Sequence, residues 1–257
     1  MSLRKCEAIV VRRMPFRNSS LIVGMLAPTQ GLVEGIAKGA RRSRSPLYGR
    51  LDYFREGELV YYERRSGTLS VVSQFSPVAE HAELGRTVGG FAAGMLFCEA
   101  VNAGCVPESP APEAYALLQR GLAALEHGAQ PAKTASAWGL GLLGALGFAP
   151  MLEACVDCGR PLTDNAAGLD AERGGAVCTE CARGARVREI DPGVLKALAF
   201  LQRQGVQGGQ RLGLRARETR AVLATVVDLL EAQLARRLHS GRFLLQVIGR
   251  ERLTHAA

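Results

Sequence analysis

The chain has 257 residues, 47% of them apolar and 22% charged, with 30 glycines that follow no G-X-Y period. Its length exceeds the usual size of a single core, and its composition excludes both a disordered chain and a collagen. Thirty-two Lys and Arg against 24 Asp and Glu leave a net charge of +8, which points to a polyanionic partner. Only Lys5, Lys38, Lys133 and Lys196 are lysines, so the excess is carried by arginine, whose planar fork matches phosphate and stacks on flat rings. Residues 1–80 hold 13 cations and 7 anions, residues 81–154 hold 3 and 6, and residues 155–257 hold 16 and 11, so basicity is concentrated at the two ends.

At the N-terminus, Ser2-Leu3-Arg4-Lys5 precedes an apolar run, Ala8-Ile9-Val10-Val11, that Arg12 ends after four residues. No signal peptide is read there, and the chain is expected in the cytoplasm. Five segments then read as strands: residues 6–11, 21–26, 31–37, 58–62 and 69–75 are short and rich in Val, Ile, Leu and Tyr. Pro15, Asn18 and Pro28 punctuate them, and Ser66-Gly67 is expected to turn the last hairpin. Five strands in 80 residues suit a small barrel, with the five-stranded OB-fold as first choice and an SH3-like barrel as the alternative.

Between the third and fourth of these strands lies Ala37-Lys38-Gly39-Ala40-Arg41-Arg42-Ser43-Arg44-Ser45-Pro46, which sets four cations in seven residues. No acid occurs between Glu34 and Asp52, and Arg4, Lys5, Arg12, Arg13, Arg17 and Arg50 add to the same domain. Seven of the chain's 14 aromatics, Phe16, Tyr48, Tyr53, Phe54, Tyr61, Tyr62 and Phe75, lie in these 80 residues. Small barrels bind single strands through basic grooves with stacking rings, and Tyr48, between Pro46 and Gly49, is the ring expected to be exposed. Lys38, Arg41, Arg42, Arg44, Tyr48, Arg50, Arg12 and Arg13 are therefore the candidate nucleic-acid contacts. None of these residues is placed to read base edges, so binding should be independent of sequence.

From Pro77 onward the period becomes helical. Tyr115, Leu118, Leu122 and Leu125 form one stripe, and Val222, Val226, Leu229, Leu230, Leu234 and Leu238 a longer one. Glycine and proline at Gly104–Pro112, Gly128–Pro131 and Gly205–Gly209 are expected to separate helices, and the helical pattern runs to about residue 240. Residues 134–152 carry no charge over the length of a membrane span, but four glycines and Pro150 favour a buried helix.

Four of the seven cysteines form Cys155-x-x-Cys158 and Cys178-x-x-Cys181, separated by 19 residues. Each C-x-x-C turn presents two thiolates to one side of a tetrahedral ion at about 2.3 Å, so the pattern reads as a zinc knuckle. Turn formers between the pairs, among them Asp164, Asn165, Gly174 and Gly175, let the chain double back. Paired disulfides are the alternative, disfavoured in a reducing compartment. Four thiolates leave no open position for water, so one Zn2+ with a structural role is expected, its binding energy on the order of 10 kcal/mol serving the folding of the module. The resulting fold class is α+β and multidomain: an OB-fold barrel over 1–80, an all-helical domain over 81–257, and a four-cysteine zinc knuckle inserted at 153–184.

Two motifs imitate enzymes. His81-Ala82-Glu83 matches half of a zinc deaminase signature, but neither C-x-x-C pair follows a proline and the second pair would have no use. Gly139-x-Gly141-x-x-Gly144 has the letters of a dinucleotide fingerprint without a preceding strand, and a closely packed helix explains it better. No Walker loop, nucleophile elbow or H-E-x-x-H occurs, and His127, His239 and His255 have no evident partners, so no catalytic residue and no small-molecule substrate is expected.

The segments Gly31-Leu32-Val33-Glu34-Gly35-Ile36-Ala37-Lys38-Gly39-Ala40-Arg41-Arg42-Ser43, Trp138 with Leu142-Leu143, Gly147-Phe148-Ala149-Pro150-x-Leu152-x-x-Cys155 and Gly174-Gly175-x-x-Cys178-x-x-Cys181 together resemble the RecO family of bacterial recombination mediators. Relatives often carry Gln-Pro where this chain has Asp52-Tyr53. The resemblance implies an N-terminal OB-fold and a helical domain bearing a zinc knuckle. It also implies binding of single- and double-stranded DNA, ATP-independent annealing of strands coated with single-strand binding protein, and loading of the RecA recombinase with RecR. Carried over by position, Lys38, Arg41, Arg42 and Arg44 would contact DNA, and Cys155, Cys158, Cys178 and Cys181 would hold zinc. The implied setting is the cytoplasm, on the nucleoid. A nucleic-acid-modifying enzyme built on His81 and Glu83, and an RNA-binding adaptor, are the competing readings. A second basic region follows, with Arg183, Arg186 and Arg188 after the knuckle and Arg215, Arg217 and Arg220 at the start of a helix; how far DNA contacts extend onto it is left open, and the latter three read better as a solvated helix face.

Overall fold

Alternation of apolar and polar residues in the first 80 positions produces five strands in the computed structural model, which describes residues 2–64, 68–162, 166–183 and 187–254. They are β1 (Ser2–Phe16), β2 (Ser20–Ala27), β3 (Gly31–Ala37), β4 (Glu56–Glu63) and β5 (Ser70–Ala79). The strands close in the order β1-β2-β3-β5-β4, the connectivity of an OB barrel. Closure depends on β1, whose first half pairs with β4 from Ser2↔Glu63 to Ile9↔Glu56 and whose second half pairs with β2 from Ile9↔Leu26 to Phe16↔Ser20. A bulge between Val10 and Arg12 bends the strand from one partner to the other. Ala8, Val10, Val23, Met25, Val33, Leu59, Tyr61, Val72 and Phe75 fill the interior.

All five expected strands are present, but β1 extends four residues before Cys6 and runs through Pro15. The added residues are mostly exposed and leave no apolar alternation, and they are held by backbone pairing and by cross-strand ion pairs such as Arg4 with Glu63 and Lys5 with Glu58. The expected turn at Ser66-Gly67 lies outside the described residues.

The rest of the chain supplies a short 3-10 turn (Ala82–Arg86) and six helices: α1 (Val88–Gly104), α2 (Pro112–Glu126), α3 (Pro131–Ala145), α4 (Pro192–Gly209), α5 (Ala216–Gln233) and α6 (His239–Thr254). Two compact units result: one joins residues 1–83 to 98–122, the other joins 84–97 to 123–257. In the first, Asn102 of α1 donates from Nδ2 to the Val11 carbonyl at 2.9 Å, beside the β1 bulge, and Tyr115 of α2 donates to Glu56 at 3.2 Å. In the second, Trp138 of α3 is fully buried and stacked on Phe97, with centroids 4.1 Å apart.

Gly205 does interrupt the helix: at φ +64°, ψ −164° it leaves the helical region and divides α4 into two helical segments, the second reaching Gly209. Two other helical expectations need correction. The stripe from Val222 to Leu238 is not one helix, because α5 ends at Gln233, Ala235 turns at φ +48°, and Leu238 is buried from the following turn. Helix continues past residue 240, since α6 reaches Thr254. Of the uncharged stretch 134–152, only the part to Ala145 is helical, and no helix among the described residues is long and apolar enough to cross a membrane.

The glycines of the dinucleotide look-alike lie inside α3, where Gly139 serves helix packing and Gly144 does not. A Cβ on Gly139 would sit 2.6 Å from Val226 Cγ1 of α5, whereas one on Gly144 would meet nothing within 4 Å. Gly144→Ala should therefore raise stability by up to about 1 kcal/mol through helix propensity, while Gly139→Ala should lower the melting temperature through an overpacking cost of about 1–3 kcal/mol. Thermal denaturation of the two variants checks this, and equal gains would refute the packing role.

Candidate nucleic-acid interface and metal centre

The basic segment between β3 and β4 is a fixed structure made of successive turns. Arg42 N donates to Gly39 O at 2.9 Å, Ser45 N to Arg42 O at 2.9 Å, Tyr48 N to Ser45 O at 3.0 Å and Arg50 N to Leu47 O at 3.2 Å. Arg41 N also donates to Ser19 O at 2.9 Å, which ties the segment to the β1–β2 turn. Ala40, Leu47 and Leu51 point the other way and belong to the barrel core, each at most 4% exposed. These three residues are the part of the site that sequence reasoning missed. They carry no periodicity, and only the barrel end they fill gives them a role.

With the apolar side chains turned inward, Lys38, Arg41, Arg42, Arg44, Tyr48 and Arg50 are exposed, Tyr48 by 56%. Among the described residues no carboxylate pairs with Lys38, Arg41, Arg42 or Arg44. The other two candidates differ: Arg12 is bridged to Glu34 at 3.0 Å and Arg13 to Asp52 at 2.8 Å. Among the eight candidates, charge without a carboxylate partner is thus confined to the turns. Arg50 donates to the Phe75 carbonyl at 3.4 Å, and Arg17 lies over the Phe16 ring at 5.3 Å. Cross-strand partners Met14, Ile22 and Ile36 form an apolar strip on the outer face of the barrel, which continues into Lys38. Of the remaining rings, Tyr61, Phe54 and Phe75 are core.

In the second unit the two C-x-x-C turns meet. Strands β6 (Ala166–Asp170), β7 (Gly175–Cys178) and β8 (Arg188–Glu189) form a small sheet in the order β7-β6-β8. The segment before the first cysteine is zipped onto β7, with Met151 N donating to Gly174 O at 2.9 Å and Val156 N to Ala176 O at 2.9 Å. Gly175 is required there, since a Cβ would lie 2.5 Å from Met151 O. Asp164 and Asn165 lie outside the described residues.

The Sγ atoms of Cys155, Cys158, Cys178 and Cys181 all lie within 4.8 Å of one another, and those of Cys158 and Cys178 are 3.9 Å apart. A tetrahedron with metal–sulfur bonds of about 2.3 Å has an edge of about 3.8 Å, so the four residues fit a tetrahedral cation. Burial alone would raise the Cys155 thiol, but backbone N–H groups of Cys158, Cys178 and Asp157 outweigh it and bring it down to about 6. Hydrogen bonding among the clustered thiols holds Cys181 up at about 12. Backbone donors thus favour the thiolate at Cys155, and a bound cation would favour the thiolate form across the cluster. Cys6, Cys98 and Cys105 lie outside the cluster, and burial raises their thiols.

His81 and Glu83 are not members of the cluster. In the second basic region Arg188 pairs with Asp228 and Arg215 with Glu218, so its charge is partly cancelled. Arg186 and His255 lie outside the described residues.

Two family models match the chain, "Recombination protein O N terminal" over residues 1–81 and "Recombination protein O C terminal" over residues 89–242. Among curated proteins, the chain is 31% identical over 248 residues to a protein of Anaeromyxobacter dehalogenans named DNA repair protein RecO, covering 96% of this chain and 98% of that one. It is 30% identical over 250 residues to the protein of that name from Moorella thermoacetica, covering 96% and 92%.

The inward anchors give a test of the loop. Leu47→Ala should cost about 2–5 kcal/mol and speed hydrogen exchange at the Arg41 and Arg42 amides, whereas Tyr48→Ala should stay within about 0.5 kcal/mol of the parent. Unchanged exchange in Leu47→Ala would show that the turns hold without the plug.

Proposed function

The chain belongs to the RecO family of DNA repair proteins, and we propose that it acts there by binding single- and double-stranded DNA without sequence preference and annealing complementary strands without ATP. The observation that carries this reading is the set of four exposed cations, Lys38, Arg41, Arg42 and Arg44, held on hydrogen-bonded turns without carboxylate partners. Phosphates of two strands neutralised on such a surface repel each other less, and base pairing then drives the reaction. Arg50 extends the surface, and Tyr48 offers a ring to an unstacked base. Arg12 and Arg13 contribute less, because an incoming phosphate must displace Glu34 or Asp52.

In this reading the barrel domain spans 1–80 and binds DNA, and the helical domain spans 81–257. A knuckle at 153–184 holds one structural Zn2+ through Cys155, Cys158, Cys178 and Cys181. When bound, the metal supplies charge neutralisation and cross-linking; the chain's own residues preorganise it by aiming backbone N–H groups at Cys155. RecR, single-strand binding protein and, through them, RecA are the protein partners, in the cytoplasm at the nucleoid. The activity needs no catalytic residue.

Affinity for single-stranded DNA should fall with salt on a log–log slope of roughly −4 if about six phosphates are neutralised. The triple variant Lys38→Glu, Arg41→Glu, Arg42→Glu should reduce the slope to about −2 and slow strand annealing. A flat salt response, or annealing at the parent rate, contradicts the proposal.

Elemental analysis of the purified protein should find one zinc per chain. Cys155→Ser should lose the metal together with stability on the order of 10 kcal/mol for the knuckle. Metal-free protein with an unchanged melting temperature would rule out the structural role.

A further inference from the structure

The second unit contains a cavity of about 540 Å³ bounded by β6, β8, the start of α4 and the middle of α5. Its floor is apolar: Leu169 and Val194 are 4% and 5% exposed, and the Thr225 hydroxyl is already committed to the Ala221 carbonyl at 2.9 Å. Its volume is within the range of about 300–1,000 Å³ that binding pockets occupy. Along one side runs β8, the last strand of its sheet, whose outer edge carries no further strand among the described residues.

The rim carries charge of the opposite sign to the chain as a whole. Asp170 is answered by Arg173 at 2.8 Å, and Asp228 by Arg188 and by Arg242 at 2.9 Å. Asp191 caps α4 by accepting from Gly193 N at 2.7 Å. Glu172 and Glu189 are exposed and form no ion pair among the described residues, since the adjacent Arg173 and Arg188 are engaged by Asp170 and Asp228. In a protein of net charge +8 this surface repels phosphate, so it is not an extension of the DNA contact.

We propose that this cavity is a docking site for a basic segment of a partner protein, which adds as a strand to the edge of β8. Such a strand sets alternate side chains into the apolar floor and its Lys or Arg side chains against Glu172, Glu189 and Asp191. Strand addition supplies main-chain hydrogen bonds that the edge lacks, and alternation supplies one apolar and one charged face. A small polycation would satisfy the rim but leave the strand edge unpaired, so the geometry favours a peptide.

The test uses the full-length protein and a fluorescent eight-residue peptide in which Leu alternates with Lys. The peptide should bind saturably, and the surface variant Glu172→Lys, Glu189→Lys should weaken it by about tenfold or more while leaving DNA affinity no weaker than in the parent. The matching Leu–Glu peptide should neither bind nor compete, and amide exchange at Glu189 and Ile190 should slow in the complex. Binding unaffected by the double variant would overturn the proposal, as would equal displacement by spermidine or unchanged exchange at β8. Because DNA affinity is read separately, loss of peptide binding and loss of the DNA role are distinguishable outcomes.

Discussion

A five-stranded barrel must be plugged at its ends, and the way this chain plugs one of them sets the geometry of its charged surface. Ala40, Leu47 and Leu51 enter the core cluster with Val10, Met25 and Phe75. Burying leucine side chains is worth about 1.5–3 kcal/mol each, enough to hold a segment that has no regular secondary structure. The turn bonds from Gly39 to Arg50 satisfy the backbone locally, so the polar side chains are left facing water. A stretch whose composition looks like a flexible basic loop is thereby a rigid cationic ridge. Preorganisation of that kind reduces the ordering cost of binding.

Ion pairing divides the same domain into two electrostatic classes. Arg4, Lys5, Arg12, Arg13 and Arg55 each have a carboxylate within salt-bridge distance on a neighbouring strand or turn. Those pairs are exposed and add little stability, but they remove charge from the barrel wall and leave the ridge as its main positive feature. The thiol cluster shows the complementary situation. Ionisable thiols are brought together there, with backbone dipoles lowering Cys155 and the neighbouring thiols raising Cys181. The ridge has the sign to receive a polyanion, and the thiol cluster the donor set to receive a cation.

The existence and order of the strands were legible because the barrel has a wet outside and a dry inside, which imposes a period of two on β2 to β5. The cysteine spacing was legible for a chemical reason, since few other structures need two C-x-x-C turns. Helix ends were less so. Gly205 interrupts the helix as its type suggests, yet α4 resumes beyond it and reaches Gly209. Ala235, with no turn signature of its own, ends the stripe that starts at Val222. Local propensity differs little across such positions, and tertiary packing decides them.

By itself the sequence determined the fold class, the four cysteines that cluster and the location of the excess positive charge, because these depend on periodicity, spacing and count. It did not determine which cations are free. Arg12 and Arg13 look equivalent to Arg41 and Arg42 along the chain, but strand pairing brings Glu34 beside Arg12, and Asp52 folds back beside Arg13. Nor did it reveal the inward anchors of the ridge or the acidic rim above Leu169 and Val194, which join residues far apart in the chain. Coulombic interactions and burial depend on distance through space, and only the closed barrel and the packed helices set those distances.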